Sequence, residues 1–183
     1  MARWPYKIQK LLSLREVDVD VLQIIKLDHE RIRGVLSQIA GTDKVTERRR
    51  LVAELEEDAS RHFHIEANYL YPEVSAIYTD DGGFFDERQT SHKQLTKRLH
   101  AVSEMLRKPV SDHVGFEKKF DELNQLFDDH FGAEERVMMP RVRQFMPTQE
   151  REDLGQVILD VKEELARELT EDRKPLLKNK KKA

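Results

Sequence analysis

HFHIEANYLYP, residues 62–72, is written again in altered form as HFGAEERVMMP, residues 130–140. His, Phe, Glu and Pro stand at the same offsets in both lines. Residues four apart lie one above the other on a helix, so each line presents an imidazole and a carboxylate together: His62 with Glu66, and His130 with Glu134. The residues leading into each line recur at helical spacing: Leu51, Leu55 and Ala59 before His62, and Phe116, Phe120, Leu123 and Phe127 before His130. Both His/Glu pairs therefore fall on apolar stripes that face a core. A carboxylate there is costly unless paired or coordinated, and two facing ones repel. A cation between them removes the conflict.

The rest of the chain supplies the other walls of the bundle. Leu22, Ile25, His29, Ile32, Leu36 and Ile39 form a 3-4-3-4-3 pattern that ends at Gly41, and Phe85, Gln89, His92, Leu95, Leu99, Val102 and Leu106 form another that ends before Pro109. The second helix starts near Thr46, TDDGG (79–83) is a turn, and Ser111 or Asp112 caps the fourth helix. Pro147-Thr148 opens a shorter fifth helix with Leu154, Ile158, Val161, Leu165 and Leu169 on its apolar side. Short connections between long helices favour antiparallel neighbours. The expected fold is all-α: an up-down-up-down four-helix bundle with an additional C-terminal helix. Its divisions are an N-terminal arm (1–18), the bundle (19–146), the C-terminal helix (147–170) and a basic disordered tail (171–183).

Composition agrees. The 183 residues are 37% charged and 38% hydrophobic, with 7 Gly and 6 Pro, a mixture suited to amphipathic helices with solvated outer faces. A net charge of −3 marks no nucleic-acid binder. The absence of cysteine excludes disulfides, thiolate zinc sites, Fe–S clusters and cysteine nucleophiles. No apolar run is long enough to span a membrane, and the N-terminus lacks the apolar core of a secretory signal, so a cytoplasmic protein is expected.

The four main helices thus carry, in order, His29, His62-x-x-x-Glu66, His92 and His130-x-x-x-Glu134: one half-site written twice. A single histidine on an apolar face is ordinarily a hydrogen-bonded core residue. Four on four core stripes, two with a carboxylate one turn away, point to metal. Imidazole and carboxylate without thiolate suit iron best, with zinc or manganese as alternatives. Six ligands exceed a tetrahedral zinc site, and two bridging carboxylates imply two metals. The ferritin-like Glu-x-x-His pattern is absent from the core face.

LDHERI around His29, the two His-x-x-x-Glu lines and the lone His92 together resemble the hemerythrin HHE cation-binding domain over roughly residues 20–145. The resemblance implies a non-haem di-iron centre with an oxo or hydroxo bridge. One iron would take His29 and His62, the other His92 and His130, with Glu66 and Glu134 bridging. The oxygen-carrying hemerythrins have a further histidine one turn after the third-helix histidine; here that position is Thr96. His100 cannot replace it, because it stands about 12 Å along the helix from His92. Each iron is then left with an open position. That favours reaction with peroxide, dioxygen or nitric oxide over reversible oxygen storage.

Several roles follow from the resemblance: sensing of a small diatomic ligand, catalase- or peroxidase-like handling of peroxide under oxidative stress, and iron storage or delivery for repair of iron centres. The last ranks lower, since repair proteins of this type carry a cysteine-bearing region. A sensor would pass its state to a protein partner through the fifth helix and tail. A structural metal-binding bundle is the alternative of another class. Among the flanking residues, Tyr69 is expected on the ligand face as a core tyrosine, an outer hydrogen-bond donor or a redox-active phenol, and Thr96 beside the site. Met138 and Met139 are expected to fill core, while Glu135, His64 and His113 are expected at the surface. Trp4-Pro5-Tyr6 would cover one end of the bundle, and Pro72 and Pro140 would end or kink their helices beyond the site.

Overall fold

The computed structural model describes residues 19–78, 82–109 and 114–179. The N-terminal arm with Trp4-Pro5-Tyr6, the first three residues of the 79–83 turn, Ser111 and Asp112 (the expected cap), His113 and the last four residues of the tail lie outside them. Every regular element described is helical, as the periodicity requires. Helix α1 spans Val21–Ala40, with Asp20 capping it by accepting a 2.9 Å hydrogen bond from the Leu22 amide. Helix α2 spans Val45–Ile65 and α3 Tyr71–Ser75; α4 spans Phe84–Arg107; α5 spans Phe116–Ala133 and α6 Met139–Phe145; α7 spans Thr148–Asn179. Gly83 and Gly115, with φ of 82° and 84°, supply the left-handed residue from which α4 and α5 start. Helix α1 packs on α2, α2 on α4, and α4 on α5, so the four walls follow one another in chain order; α7 lies against α1 and α2.

The prolines do not end their helices. Glu66–Leu70 and Glu134–Met138 are single π-helical turns, in which the Tyr71 amide donates to the Glu66 carbonyl and the Met139 amide to the Glu134 carbonyl. The α-helix resumes at Tyr71 and Met139, and each proline falls in the first turn of the new segment, where its missing N–H costs little. The wide turn takes in one extra residue, which rotates everything after it by about 100°. Hence the residues three beyond each glutamate leave the core: Val137 is 52% exposed and Tyr69 only half-buried. Leu70 and Tyr71, and in the second copy Met138 and Met139, take the inward places. For this reason Tyr69 does not share the buried face of His62 and Glu66 on which it was expected.

The C-terminal helix is longer than expected. Helix α7 runs to Asn179, through the first part of the segment expected to be disordered from residue 171. Its buried face is Arg151, Gly155, Ile158 and Lys162, while Leu154, Val161 and Leu165 are half-covered. Gly155 is required by contact: a Cβ there would stand 1.9 Å from the Val19 carbonyl oxygen.

The core is in two parts. One cluster joins Ile32, Leu36 and Ile39 of α1 to Leu55, Leu99, Phe120 and Phe127. The other joins Leu22 and Ile25 to Leu70, Val74, Phe85, Met138, Val142 and Ile158. In α1 the division falls at His29, in α2 and α3 between Phe63 and Leu70, and in α5 and α6 between Phe131 and Met138. A polar layer crosses the bundle there.

Candidate metal centre

That layer consists of His29, His62, Glu66, His92, His130 and Glu134, none more than 7% exposed. Each bundle wall delivers its own member or pair, and the six side chains converge into two groups of four. His29, His62, Glu66 and Glu134 form one; Glu66, His92, His130 and Glu134 form the other; within each, the donor atoms all lie within 4.8 Å of one another. The two glutamates belong to both groups through different oxygens. Glu66 Oε1 faces His62 Nε2 at 3.2 Å and His29 Nε2 at 3.9 Å, while its Oε2 faces His92 Nε2 at 3.0 Å and His130 Nε2 at 3.7 Å. Glu134 Oε2 is 3.2 Å from His29 Nε2, and its Oε1 is 3.8 Å from His130 Nε2.

The donor set fits a metal on its own geometry. Nε2 of His29, Nε2 of His62, Oε1 of Glu66 and Oε2 of Glu134 are all buried without a hydrogen-bond partner. Four such atoms turned into one space are expensive individually, and one cation satisfies all of them. In the second group His92 Nε2 and His130 Nε2 face each other at 3.1 Å. Ligands about 2.1 Å from a metal and at right angles to one another lie about 3.0 Å apart.

Around these six stand residues that periodicity did not single out. Tyr71 directs its hydroxyl into the second group, donating to Glu134 Oε1, with Glu66 Oε2 and His92 Nε2 each at 3.3 Å. It reaches the site because the π turn places it five residues after Glu66, on the face that Tyr69 would otherwise occupy. Burial, with Glu66 and Glu134 beside it, pushes the Tyr71 hydroxyl well above its ordinary value, so it stays protonated as a donor. Tyr69 lies beside exposed His64, ring centroids 6.0 Å apart, away from the polar layer.

Glu135 also departs from expectation. It turns back to the bundle, where its Oε1 lies 2.8 Å from His29 Nδ1 and accepts from Arg33 at 2.7 Å. The His29 hydrogen bond, against partial burial and with help from Arg33, holds the Glu135 carboxyl at about 2. Burial opposes a charge on His29, yet Glu134, Glu135 and Glu66 around it raise it well above its ordinary value. Burial likewise opposes a charge on Glu66, and the imidazoles around it, His62 foremost, hold it well below the usual carboxylate range. His92, dominated by burial, is lowered. On the far side of His62, Asp28 Oδ2 stands 3.8 Å from Nδ1 and accepts from Lys162 of α7. Burial raises the Asp28 carboxyl, but Lys162 and His62 outweigh it and hold it at about 2.

Thr96 bonds back to the His92 carbonyl at 2.8 Å, and does not reach the donor groups. With Ala59, Ser60, Phe63, Leu99 and His100 it lines a cavity of about 310 Å³. Phe63, which lines that cavity, is stacked on His92 at 4.3 Å and edge-on to His130 at 5.8 Å.

A helical bundle with a buried layer of four histidines and two shared carboxylates defines a metal-binding helical protein. The profile of the hemerythrin HHE cation-binding domain matches residues 20–142, and the chain belongs to that family. A solved structure of a hemerythrin HHE cation-binding domain-containing protein from Mycobacterium kansasii is similar, with 25% sequence identity and a TM-score of 0.71. The likeness covers 85% of this chain and 92% of that one. Among curated proteins none matches this chain. Among the described residues no helix is long and apolar enough to cross a membrane.

Proposed function

We propose that this protein holds a pair of irons and reacts there with peroxide or a small diatomic ligand, dioxygen or nitric oxide. The observation that carries the reading is the sharing of Glu66 and Glu134 between the two donor groups through opposite oxygens. That arrangement supports two bridging carboxylates between two metals, with His29 and His62 on the first and His92 and His130 on the second. Imidazole and carboxylate donors favour iron over metals that seek thiolate. An iron pair, when bound, supplies one- and two-electron redox chemistry and Lewis acidity toward an incoming oxygen ligand.

The protein's own contribution is threefold. Two histidines per group leave coordination positions that no described side chain from the six fills, so a small ligand can enter. The flanking core clusters exclude bulk water, which strengthens every polar contact inside. Tyr71 Oη holds a proton within hydrogen-bonding reach of Glu134 and 3.3 Å from Glu66 and His92, at the second group. Were iron held there, Tyr71 would be the residue placed to supply a proton at the second group, in the manner of a general acid. The cavity lined by Phe63 and Thr96 lies against the ring that stacks on His92 and is a candidate route for a small ligand.

Protein loaded with iron tests the reading. Metal analysis should give two irons per chain and an absorption in the near ultraviolet, where a zinc protein would be colourless. Glu66→Ala or Glu134→Ala should lose more than one iron, since each serves both positions. Retention of both irons in those variants would overturn the bridging assignment.

A further inference from the structure

The two half-sites are alike in sequence and unlike in their surroundings. Behind His29, Nδ1 meets Glu135, which is held in turn by Arg33. Behind His62, Nδ1 is buried and makes no hydrogen bond, but Asp28 Oδ2 lies 3.8 Å away and the same oxygen is held by Lys162 Nζ. Both histidines of the first group thus have the same order of partners: imidazole, carboxylate, cation. In the second group His130 Nδ1 is buried with no hydrogen-bond partner. The gap from His62 to Asp28 exceeds hydrogen-bond length by only about 0.6 Å, which a small side-chain rotation closes.

Lys162 comes from α7, the helix added beyond the four bundle walls. It is positioned by contacts along one face of α7. Arg151 bonds Asp20 at 2.8 Å and the Met146 carbonyl at 2.6 Å, Gly155 lets the backbone touch Val19, and Ile158 is fully buried. One turn further on, Lys162 is only 8% exposed and meets Asp28. The neighbouring charges are engaged with each other: Arg31 with Asp58 at 2.6 Å, and Arg61 with the other oxygen of Asp58. A lysine buried this far needs its carboxylate, and that carboxylate sits on the residue next to His29 and opposite His62.

We propose that Lys162 and Asp28 are positioning residues for the first metal position: Lys162 fixes the Asp28 carboxylate behind His62 Nδ1, setting that imidazole's tautomer and orientation toward the metal. The proposal rests on the reading of a two-metal site. It makes α7 part of the metal centre, and it makes the position held by His29 and His62 the tighter of the two. Carboxylate partners behind a ligating histidine are worth about 10- to 100-fold in metal affinity.

Competition between the protein and a chromophoric chelator for Fe(II) under argon measures this in two backgrounds. The variant His92→Ala/His130→Ala keeps the first histidine pair, and His29→Ala/His62→Ala keeps the second. Lys162→Met should weaken Fe(II) binding about 10- to 100-fold in the first background and by less than about twofold in the second. Lys162→Arg should retain affinity, because a guanidinium can still hold Asp28. Should Lys162→Met leave Asp28 buried alone and unfold the chain, Asp28→Asn/Lys162→Met removes both charges and should fold with the same first-position loss. Circular dichroism is recorded on every variant to confirm helicity. Equal weakening in both backgrounds, or none in the first, would overturn the proposal while leaving the two-metal reading intact. Failure of the unmodified chain to bind Fe(II) would instead sink that reading, and the proposal with it.

Discussion

Replacing Tyr71 by Phe isolates one hydroxyl in the centre of the polar layer. The ring is retained, so no cavity opens between Phe85 and His92, whose centroids lie 5.5 and 5.6 Å from that of Tyr71. What is lost is one donor to a buried carboxylate, Glu134, with Glu66 and His92 each 3.3 Å away. A hydrogen bond to a charged group contributes about 1.5–3 kcal/mol. For a domain of this size each kcal/mol moves the melting temperature by about 2–4 °C, so metal-free Tyr71→Phe should melt about 3 to 12 °C lower. Iron content should be unchanged, because all six residues of the two donor groups remain. With iron bound, peroxide consumption should fall by about 100-fold or more, the usual contribution of a positioned proton donor. Scanning calorimetry, metal analysis and oxygen-electrode assays on the same preparations separate these effects. A variant that keeps two irons, the wild-type rate and the wild-type melting temperature would refute the role given to Tyr71. Tyr69→Phe is the matched control, and should alter neither.

Stripping the metal should lower the melting temperature, since four imidazoles and two buried carboxylates then lose their common partner; identical calorimetric curves with and without iron would count against the site. Metal affinity should fall as the pH drops, beginning above the ordinary histidine range because the carboxylates around His29 favour its protonated form, while His92, lowered by burial, takes up its proton only further down; a chelator titration at several pH values reads the slope directly. Thr96→His places an imidazole one turn after His92 on the cavity side; it should slow azide or peroxide entry at the second position and prolong any oxygenated form, measured by stopped flow. If the unmodified protein already forms a long-lived reversible oxygen adduct and ignores peroxide, the argument from Thr96 fails. Gly155→Ala should destabilise the chain by about 1–3 kcal/mol despite alanine's better helix propensity, since its Cβ would strike the Val19 carbonyl; a denaturant midpoint at or above wild type would contradict that packing.

The four walls, their order and the residues of the polar layer were legible in the sequence because each depends on short-range periodicity. A histidine at 29, 62, 92 or 130 shares its stripe with leucines and phenylalanines three or four residues away, and the stripe must turn inward. The repeated His-x-x-x-Glu line added the carboxylates by the same rule. Periodicity failed first at Glu66 and Glu134, where the helix takes a π turn. A reading at 3.6 residues per turn put Tyr69 inside; the extra residue moved it out and brought Tyr71 in, and the matching turn in the second copy leaves Val137 exposed. The prolines six residues beyond each glutamate signalled a disturbance, but not its form.

The ion pairs and hydrogen bonds behind the polar layer were not legible in the sequence. Glu135 reads as a solvent-facing residue on its own helix; its place is set by His29 and Arg33, more than a hundred residues earlier. Lys162 and Arg151 are not among the apolar residues that marked the inner side of the fifth helix, yet the docking of α7 on α1 buries both against Asp28 and Asp20. Local spacing determined which side chains face a core. Only the packing of α7 and the backs of the helices decided which charges stand behind the buried histidines, because ion pairing across elements leaves no period in the chain.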